Sequence, residues 1–378
     1  MSIPVRSLSA VLLLLSLNGM TLGQVVLVSD PTDSIQDPEF DQIGYHMAWQ
    51  DLGGNLWLAD VNPSTGDISP LNGKGQLLDT GLFPFYISGN GPEWSYGKGK
   101  ANIVYAVYNG GVPQLKAARA DSAGVWGPVV LSKANSRSGA LGSTTSNSGP
   151  PMIAYQVTLA SGNSVAGWRS LYNSSSELMS SASRRGGRFV DGGPGIVAMS
   201  RFNNESQIAL IDTQTKAVTQ LTFDSGEKVS PFMWWAPELG EYLVLTVVDS
   251  RILAIYRKIS GQWQRYLSLI IPSRFEFLTS PEVLVVNNAS YFAIVTAERL
   301  EPKGPLLHWP AGRSEIWIGG IDPVSPFFRR VDDPTRDALR VEPEFLVLSN
   351  GVPIVYYSEQ DEINGKTLLF RAATGLGE

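Results

Sequence analysis

The chain contains no cysteine and only two histidines among its 378 residues. Without cysteine it forms no disulfide, no thiolate metal site and no cysteine nucleophile. Two histidines, His46 and His308, are too few for a multi-histidine metal site and argue against a serine–histidine–acid triad. We therefore predict no metal site and no cofactor, and a fold that is held by packing alone.

Charge is also scarce, since 17% of the residues are charged and the formal net charge is −6. Proteins bind nucleic acid largely through lysine and arginine contacts to phosphates. The basic residues concentrate only at Arg184, Arg185 and Arg188, among glycines and serines, and we interpret that run as a solvated loop. The sequence therefore predicts no nucleic-acid partner.

Helical periodicity over ten or more residues is missing after residue 23. The chain instead has 38 glycines, 24 prolines and 10 tryptophans, a composition that suits strands joined by many turns. We predict an all-β protein.

Residues 1–23 have the features of a secretory signal peptide: a basic residue, an apolar run and small residues near the end. The apolar run is much shorter than the roughly 20 residues that a membrane helix needs. We expect cleavage near Gln24, a single domain over residues 24–378, and a secreted or periplasmic protein that is soluble and has no membrane span.

A repeat dominates the rest of the chain. Pro-Glu occurs five times, nearly always before a strand-like run, at Pro38-Glu39, Pro92-Glu93, Pro237-Glu238, Pro281-Glu282 and Pro343-Glu344. Pro151 and Pro194 hold the same place in two further segments, and the mean spacing is about 51 residues. Such a period in an all-β chain is typical of propeller blades. We predict a single β-propeller of about seven four-stranded blades, with six as the alternative because the segments at Pro151 and Pro194 are poorly marked.

The two ends of the chain are predicted to share a blade. The last repeat, from Pro343 to the C-terminus, is too short for a whole blade, and residues 24–37 supply the missing length. The strand-like segment Val25-Val26-Leu27-Val28 would complete that blade and remove two exposed sheet edges.

Two motif sets indicate a family. One combines residues 208–212, Ile-Ala-Leu-Ile-Asp, with Gln220-Leu221-Thr222, and the other combines Gly91-Pro92-Glu93-Trp94 with Ile103-Val104-Tyr105. Both resemble the blades of TolB-like and WD40-like propeller proteins. That resemblance implies a module that binds proteins or other ligands and that has no shared catalytic motif. We therefore favour a binding or scaffold module over an enzyme.

A second resemblance points to chemistry. The segment Trp235-Ala236-Pro237-Glu238, and also Asp37-Pro38-Glu39, is similar to segments of five-bladed glycoside hydrolases that cleave arabinan and xylan. Such enzymes use two carboxylates on either side of a sugar. The resemblance implies Asp37 and Glu238 as the catalytic pair of a glycan-active enzyme. Because Pro-Glu recurs in five repeats, blade architecture explains it better, and the enzyme stays the alternative.

The repeated glutamates are also the main candidates for ligand binding. We expect them to gather at one mouth of the propeller channel, where they either stabilise the blades or form an acidic funnel for a cationic or sugar ligand. The set is Glu39, Glu93, Glu238, Glu282 and Glu344. His308, in a proline-rich insertion, is a further candidate, since such insertions often carry function. A protein or a carbohydrate is the expected partner.

One acidic run invites a metal interpretation. Residues 332–337, Asp-Asp-Pro-Thr-Arg-Asp, offer oxygen ligands at close spacing but lack the glycine and the alternation of a calcium loop. We interpret the run as a solvated turn, since Asp and Pro are common turn formers.

Overall fold

The computed structural model describes residues 25–30, 34–69, 75–82, 91–97, 100–109, 112–130, 138–144, 152–158, 164–171, 178–180, 184–190, 193, 195–304, 307–322, 326–360 and 366–376. The predicted signal peptide, Gln24, Pro151 and Pro194 lie outside these ranges.

Every regular element in the described residues is a β-strand. In chain order they are β1 (Val26–Leu27), β2 (Gln36–Phe40), β3 (His46–Gln50), β4 (Asn55–Val61), β5 (Ile68–Ser69), β6 (Gln76–Thr80), β7 (Glu93–Gly97), β8 (Lys100–Asn109), β9 (Val112–Ala120), β10 (Trp126–Val130), β11 (Ser138–Thr144), β12 (Met152–Thr158), β13 (Ser164–Ser170), β14 (Leu178–Met179), β15 (Arg184–Phe189), β16 (Gly195–Phe202), β17 (Glu205–Asp212), β18 (Val218–Gln220), β19 (Lys228–Ala236), β20 (Glu241–Val248), β21 (Ile252–Ile259), β22 (Gln262–Leu269), β23 (Phe277–Val286), β24 (Ala289–Gly304), β25 (Leu307–Gly320), β26 (Phe328–Arg330), β27 (Leu339–Val347), β28 (Pro353–Gln360) and β29 (Thr367–Ala373).

The described strands form seven antiparallel sheets, in which successive strands pair as hairpins. Six sheets are β2–β5 with β6 beside β4, β7–β10, β11–β14, β15–β18, β19–β22 and β23–β26, and the seventh is β1, β29, β28 and β27. The first long strands of the sheets contact one another in a closed ring, in the order β2, β7, β11, β15, β19, β23, β27 and back to β2. We call these seven the innermost strands. The architecture is the predicted all-β propeller, and the ring encloses its central channel.

The two chain ends meet in one sheet, as the sequence predicts. Val26 pairs with Arg371 and Leu27 with Phe370, and the Val28 amide donates to the Leu369 carbonyl at 2.9 Å. The short strand β1 thus covers the edge of β29, which would otherwise expose unpaired backbone groups.

The hydrophobic core lies between adjacent sheets. Phe40 of the first sheet stacks on Tyr356 of the last, with ring centroids 4.0 Å apart, inside a cluster that includes the fully buried Met47 and Leu369. Similar clusters join the other sheets around the ring, for example Ala48 and Leu56 with Ile103. Each sheet buries its faces only by stacking on its neighbours, so the ring is the unit of stability.

Among the described residues there is no helix long and apolar enough to cross a membrane.

Candidate functional site

The repeated proline marks a kink in the innermost strands. In β2, β19, β23 and β27 the pairing with the next strand shifts register just before Glu39, Phe232, Glu282 and Glu344. The residue before each proline has a left-handed backbone, with φ of 48° at Asp37, 51° at Ser230, 46° at Ser280 and 55° at Glu342. Proline has no N–H to pair, so it is tolerated at such a bulge, and a bulge redirects the next side chain.

The register therefore defines one equivalent residue in each innermost strand, which we call the ring position. In β11 and β15 similar register shifts occur before Leu141 and Arg188, and in β7 Glu93 opens the strand directly after Pro92. The ring position is held by Glu39, Glu93, Leu141, Arg188, Phe232, Glu282 and Glu344. Glutamate thus occupies the consecutive strands β23, β27, β2 and β7, while the other three carry a leucine, an arginine and a phenylalanine.

The four ring-position glutamates share one space. The charges of Glu344, Glu93 and Glu282 all act on Glu39, together with that of Asp37. We call the whole group the channel cluster: Asp37, Glu39, Glu93, Arg188, Glu282, Glu342 and Glu344. Solvent reaches the cluster, since the side chains of Arg188 and Glu282 are 31% and 20% exposed.

Arg188 is the cation of the channel cluster. Its guanidinium carbon lies 4.2 Å from the centroid of the Phe232 ring, and its Nη2 is 3.7 Å from Glu282 Oε1. Burial lowers the pKa of Arg188, but the nearby carboxylates, Glu282 foremost, raise that pKa by more. The predicted solvated loop at residues 184–188 is thus wrong, because this segment is strand β15 and Arg188 belongs to the channel.

Burial and mutual repulsion keep protons on the carboxyls of the channel cluster. Burial raises the pKa of Asp37 to about 8, although the Gly91 amide partly counters it. Burial likewise raises the pKa of Glu282 to about 7 against the opposing charge of Arg188. The pKa values of Glu39, Glu342 and Glu344 are raised well above their usual range by burial and then by neighbouring carboxylates. Near neutral pH the cluster therefore carries less negative charge than its carboxyls would in water.

Two members of the channel cluster hold the ring together. Glu342 Oε2 accepts a hydrogen bond from the Asp37 amide at 3.0 Å, and the Asp37 carboxylate accepts one from the Gly91 amide. These contacts link β27 to β2 and β2 to the start of β7. Asp37 and Glu342 are only 8% and 7% exposed, so their carboxyls stabilise the contacts between neighbouring innermost strands.

Glu238 does not join the other four glutamates, which corrects the expected grouping of five. Pro237 and Glu238 lie in the hairpin turn between β19 and β20, where the Gly240 amide bonds to the Ala236 carbonyl. The Glu238 carboxylate accepts hydrogen bonds from the amide and the hydroxyl of Ser290, at 3.0 and 3.1 Å. Pro231 is the proline of this innermost strand, so Phe232 takes the ring position. The structure therefore does not pair Asp37 with Glu238.

The two histidines lie in strands. The backbone of His308 is in strand β25, paired with Pro302 in a long hairpin instead of a loop, and its side chain is outside the described structure. His46 Nδ1 lies 3.0 Å from Asp41 Oδ2, and its ring packs against Trp94 and Trp126. His46 is thus a packed imidazole.

The acidic run at residues 332–337 is part of an ionic network between the last two sheets. Asp332 Oδ2 lies 2.6 Å from Nη1 of the fully buried Arg340, and Asp337 pairs with Arg313 at 3.2 Å. Asp332 is itself buried, so the solvated-turn interpretation fails for it. Asp333 is half-buried and accepts a hydrogen bond from the Thr335 amide at 2.9 Å. In the described part of the chain no group of three or more histidine, aspartate or glutamate side chains could hold a metal ion.

Comparison with known proteins supports the fold. No protein-family model matches the chain, and no curated protein sequence matches it. The Cps50 (Swd1) β-propeller domain of Myceliophteria thermophila is similar with a TM-score of 0.52 and 11% identity, over 93% of this chain and 98% of that one. A structure described as TolB from Agrobacterium tumefaciens aligns with a TM-score of 0.42 and 14% identity, over 63% of this chain and 82% of that one. The similarity to the Swd1 domain over nearly the whole chain confirms the predicted propeller fold.

Sequence reasoning missed Arg188 and Phe232. A signal for Phe232 was present, because Ser230-Pro231-Phe232 matches Ser280-Pro281-Glu282 residue for residue before the ring position. In the strand of Arg188, Gly186 takes the place of the left-handed residue and Gly187 the place of the proline that precede the ring position elsewhere. Gly186 has a φ of 57°. Alignment on the backbone kink, and not on Pro-Glu, would have found both.

Proposed function

We propose that this chain is an exported binding module that takes a cationic group of its ligand into the central channel. One observation carries the proposal: glutamates hold the ring position in four consecutive innermost strands, and Arg188 lies among them. A propeller that needed these positions only for packing would fill them with apolar or paired side chains.

The electrostatics favour an organic cation over a neutral ligand. Carboxyls whose pKa is raised by burial and by one another ionise more readily when a positive charge arrives, so an ammonium or guanidinium group is stabilised and protons are released. A neutral sugar can only exchange hydrogen bonds with the same carboxyls. The proposed ligand is therefore a small molecule or a partner protein that presents such a cation.

Calorimetric titration tests the proposal. N-acetyl-lysine amide and N-acetyl-arginine amide serve as cationic probes, and arabino- and xylo-oligosaccharides as neutral ones. The double variant Glu39→Gln/Glu344→Gln should lose binding of the cationic probes, while Glu238→Gln, outside the channel, should bind as the parent does. Binding of neither cationic probe by the parent, or equal binding by all three proteins, would refute the proposal.

The export part of the proposal rests on residues 1–23 alone. If they form a cleaved signal, exported protein begins near Gln24. Intact-mass measurement of protein recovered from the periplasm or the medium decides the point, and a secreted species that retains Met1 would rule out cleavage.

A glycan-active enzyme is the second candidate. The observation in its favour is that carboxyls with raised pKa values come from different sheets into one channel, as a glycosidase acid and its partner must. The pair would come from Glu39, Glu93, Glu282 and Glu344 instead of from Asp37 and Glu238. Release of sugar from arabinan or xylan, lost in Glu282→Gln, would establish it, and the absence of release from both polymers would leave the binding module.

A further inference from the structure

We infer that Arg188 is an internal ligand of the channel cluster and that an external ligand binds by displacing it. The external ligand is a guanidinium group, such as an arginine side chain of a partner protein. This inference rests on the proposed function and specifies the ligand of the same site. Two observations support it: the site already holds the cation Arg188, and the aromatic ring of Phe232 lies beneath the guanidinium of Arg188.

The position of Arg188 shows which cation the site suits. Its guanidinium carbon lies 4.2 Å from the Phe232 ring centroid, so the planar cation stands over an aromatic face. Glu282 lies 3.7 Å from its Nη2. A guanidinium combines stacking on a ring with hydrogen bonds to carboxylates, whereas an ammonium is a compact point charge that does not stack. The combination of Phe232 with the acidic arc therefore favours guanidinium.

Arg188 is held loosely enough to be displaced. A direct charge-assisted hydrogen bond measures about 2.7–2.9 Å, and the pair with Glu282 is longer, at 3.7 Å. The Arg188 side chain also keeps 31% of its surface exposed. The buried Arg340, in contrast, lies 2.6 Å from Asp332 and 3.3 Å from Glu359. Arg340 is therefore fixed by structural ion pairs, whereas Arg188 makes a longer and partly exposed contact.

The cluster also keeps capacity for a second cation. Within the described residues the Glu39 and Glu344 carboxyls make no direct hydrogen bond or ion pair, and the Arg188 charge acts on Glu344 from a distance. A guanidinium that replaces Arg188 on Phe232 therefore enters the field of these two carboxyls, whose charges already act on Arg188. Because the internal ligand must first vacate the site, the apparent affinity of the parent is lowered by the fraction of time that Arg188 occupies it.

Removal of the internal ligand tests the inference. Arg188→Ala should bind N-acetyl-arginine amide about tenfold more tightly than the parent does, with a smaller gain for N-acetyl-lysine amide. Arg257→Ala is the matched control, since Arg257 stacks on Tyr266 at 4.7 Å and pairs with Glu241 at 2.5 Å in another part of the molecule. That control should leave both affinities unchanged.

A stability measurement adds a second readout. Arg188→Ala leaves the carboxyls without their cation, so its melting temperature should fall at pH 8, and millimolar methylguanidinium should restore it better than methylammonium at the same ionic strength. If Arg188→Ala does not fold, Arg188→Lys keeps the charge but not the stacking plane, and should also bind the arginine probe more tightly than the parent.

The outcomes separate the two proposals. Tighter binding by Arg188→Ala with none by the parent would show that Arg188 occupies the site, but it would overturn both the proposed function and the displacement of Arg188 by a ligand. Equal affinities of parent and variant support channel binding and overturn the internal ligand. Equal restoration by methylguanidinium and methylammonium overturns the guanidinium preference.

Discussion

At the scale of single residues, the carboxyls of the channel cluster are the side chains under most electrostatic strain. Asp37, Glu39, Glu282, Glu342 and Glu344 all have raised pKa values, and burial is the largest cause for each. Groups of this kind concentrate at functional sites, where the rest of the fold offsets their unfavourable energy. Asp37 and Glu342 each bond to a backbone amide of the next innermost strand, whereas Glu39 and Glu344 do not.

The raised pKa values predict that the protein loses stability as pH rises. A carboxyl with a raised folded-state pKa binds its proton more tightly when folded, so its contribution is complete below the unfolded pKa and is lost as pH passes the folded pKa. With folded pKa values of about 8 at Asp37 and about 7 at Glu282, the loss should run from about pH 4 to pH 8. Thermal melts across this range measure it.

Glu39→Gln and Glu344→Gln should flatten that pH dependence. Each removes an ionisable carboxyl while keeping its shape, and at pH 8 each should raise the melting temperature by roughly 2–4 °C. Glu238→Gln is the control, because its partner Ser290 lies outside the cluster, and it should keep the slope of the parent. A parent whose stability is constant from pH 5 to pH 8 would show that the cluster does not titrate in this way.

At the scale of the strand, the bulge before the ring position organises the site. Ser230 and Ser280 adopt φ values of 51° and 46°, which are unfavourable for residues with a Cβ. The kink turns the following side chain toward the channel and accommodates a proline that an ordinary ladder would exclude. Three of the five Pro-Glu pairs, at Pro38, Pro281 and Pro343, thus mark this kink in the sequence.

The strained backbone at Ser280 predicts opposite effects of two substitutions. Ser280→Gly should leave the free energy of unfolding unchanged or raise it by up to about 1 kcal/mol, because glycine accepts a positive φ without strain. Ser280→Val should lower it by about 1–3 kcal/mol, because a β-branched residue is disfavoured there. Denaturant unfolding of both variants gives the comparison, and equal stabilities would contradict a left-handed residue at this position.

The strand scale also shows what could be predicted from sequence. Short runs of β-branched, aromatic and other apolar residues such as those of β20 and β28, which are buried on both faces, are enough to identify strands from the amino-acid sequence. The two prolines of the β19 hairpin, Pro231 and Pro237, cannot be told apart by that pattern, since proline suits both a bulge and a turn. Arg188 was hidden for a different reason: its polar, glycine-rich surroundings look like a loop, and only the ring of neighbouring strands places it in the channel.

At the scale of the whole molecule, the ring closes where the first and last strands meet. Strand β1 pairs with β29, and the Ser29 hydroxyl accepts a hydrogen bond from the Leu369 amide at 2.9 Å. The last sheet also contacts the first through Phe40 and Tyr356. Closure thus involves a short N-terminal segment whose Val28 is buried in the core between the last and first sheets, with Val26 packed against that core.

A deletion tests the role of that segment. Removal of residues 24–30 strips β1 from its sheet and leaves the β29 edge unpaired, so the melting temperature should fall by several degrees and aggregation should increase. Replacement of the same residues by a glycine–serine segment of equal length controls for chain length and should behave like the deletion. An unchanged melt in both would contradict closure through β1.

The channel cluster is a property of the ring, since its members come from the innermost strands β2, β7, β15, β23 and β27. Its proposed role is that of a cation site whose carboxyls hold protons until a ligand binds. The most direct test is calorimetric titration of N-acetyl-arginine amide at pH 7.5 in two buffers of different ionisation enthalpy. We expect binding to release protons, so that the observed heats differ between the buffers. Glu39→Gln/Glu344→Gln should abolish this difference together with the binding. Binding with identical heats in both buffers would contradict this proposed role.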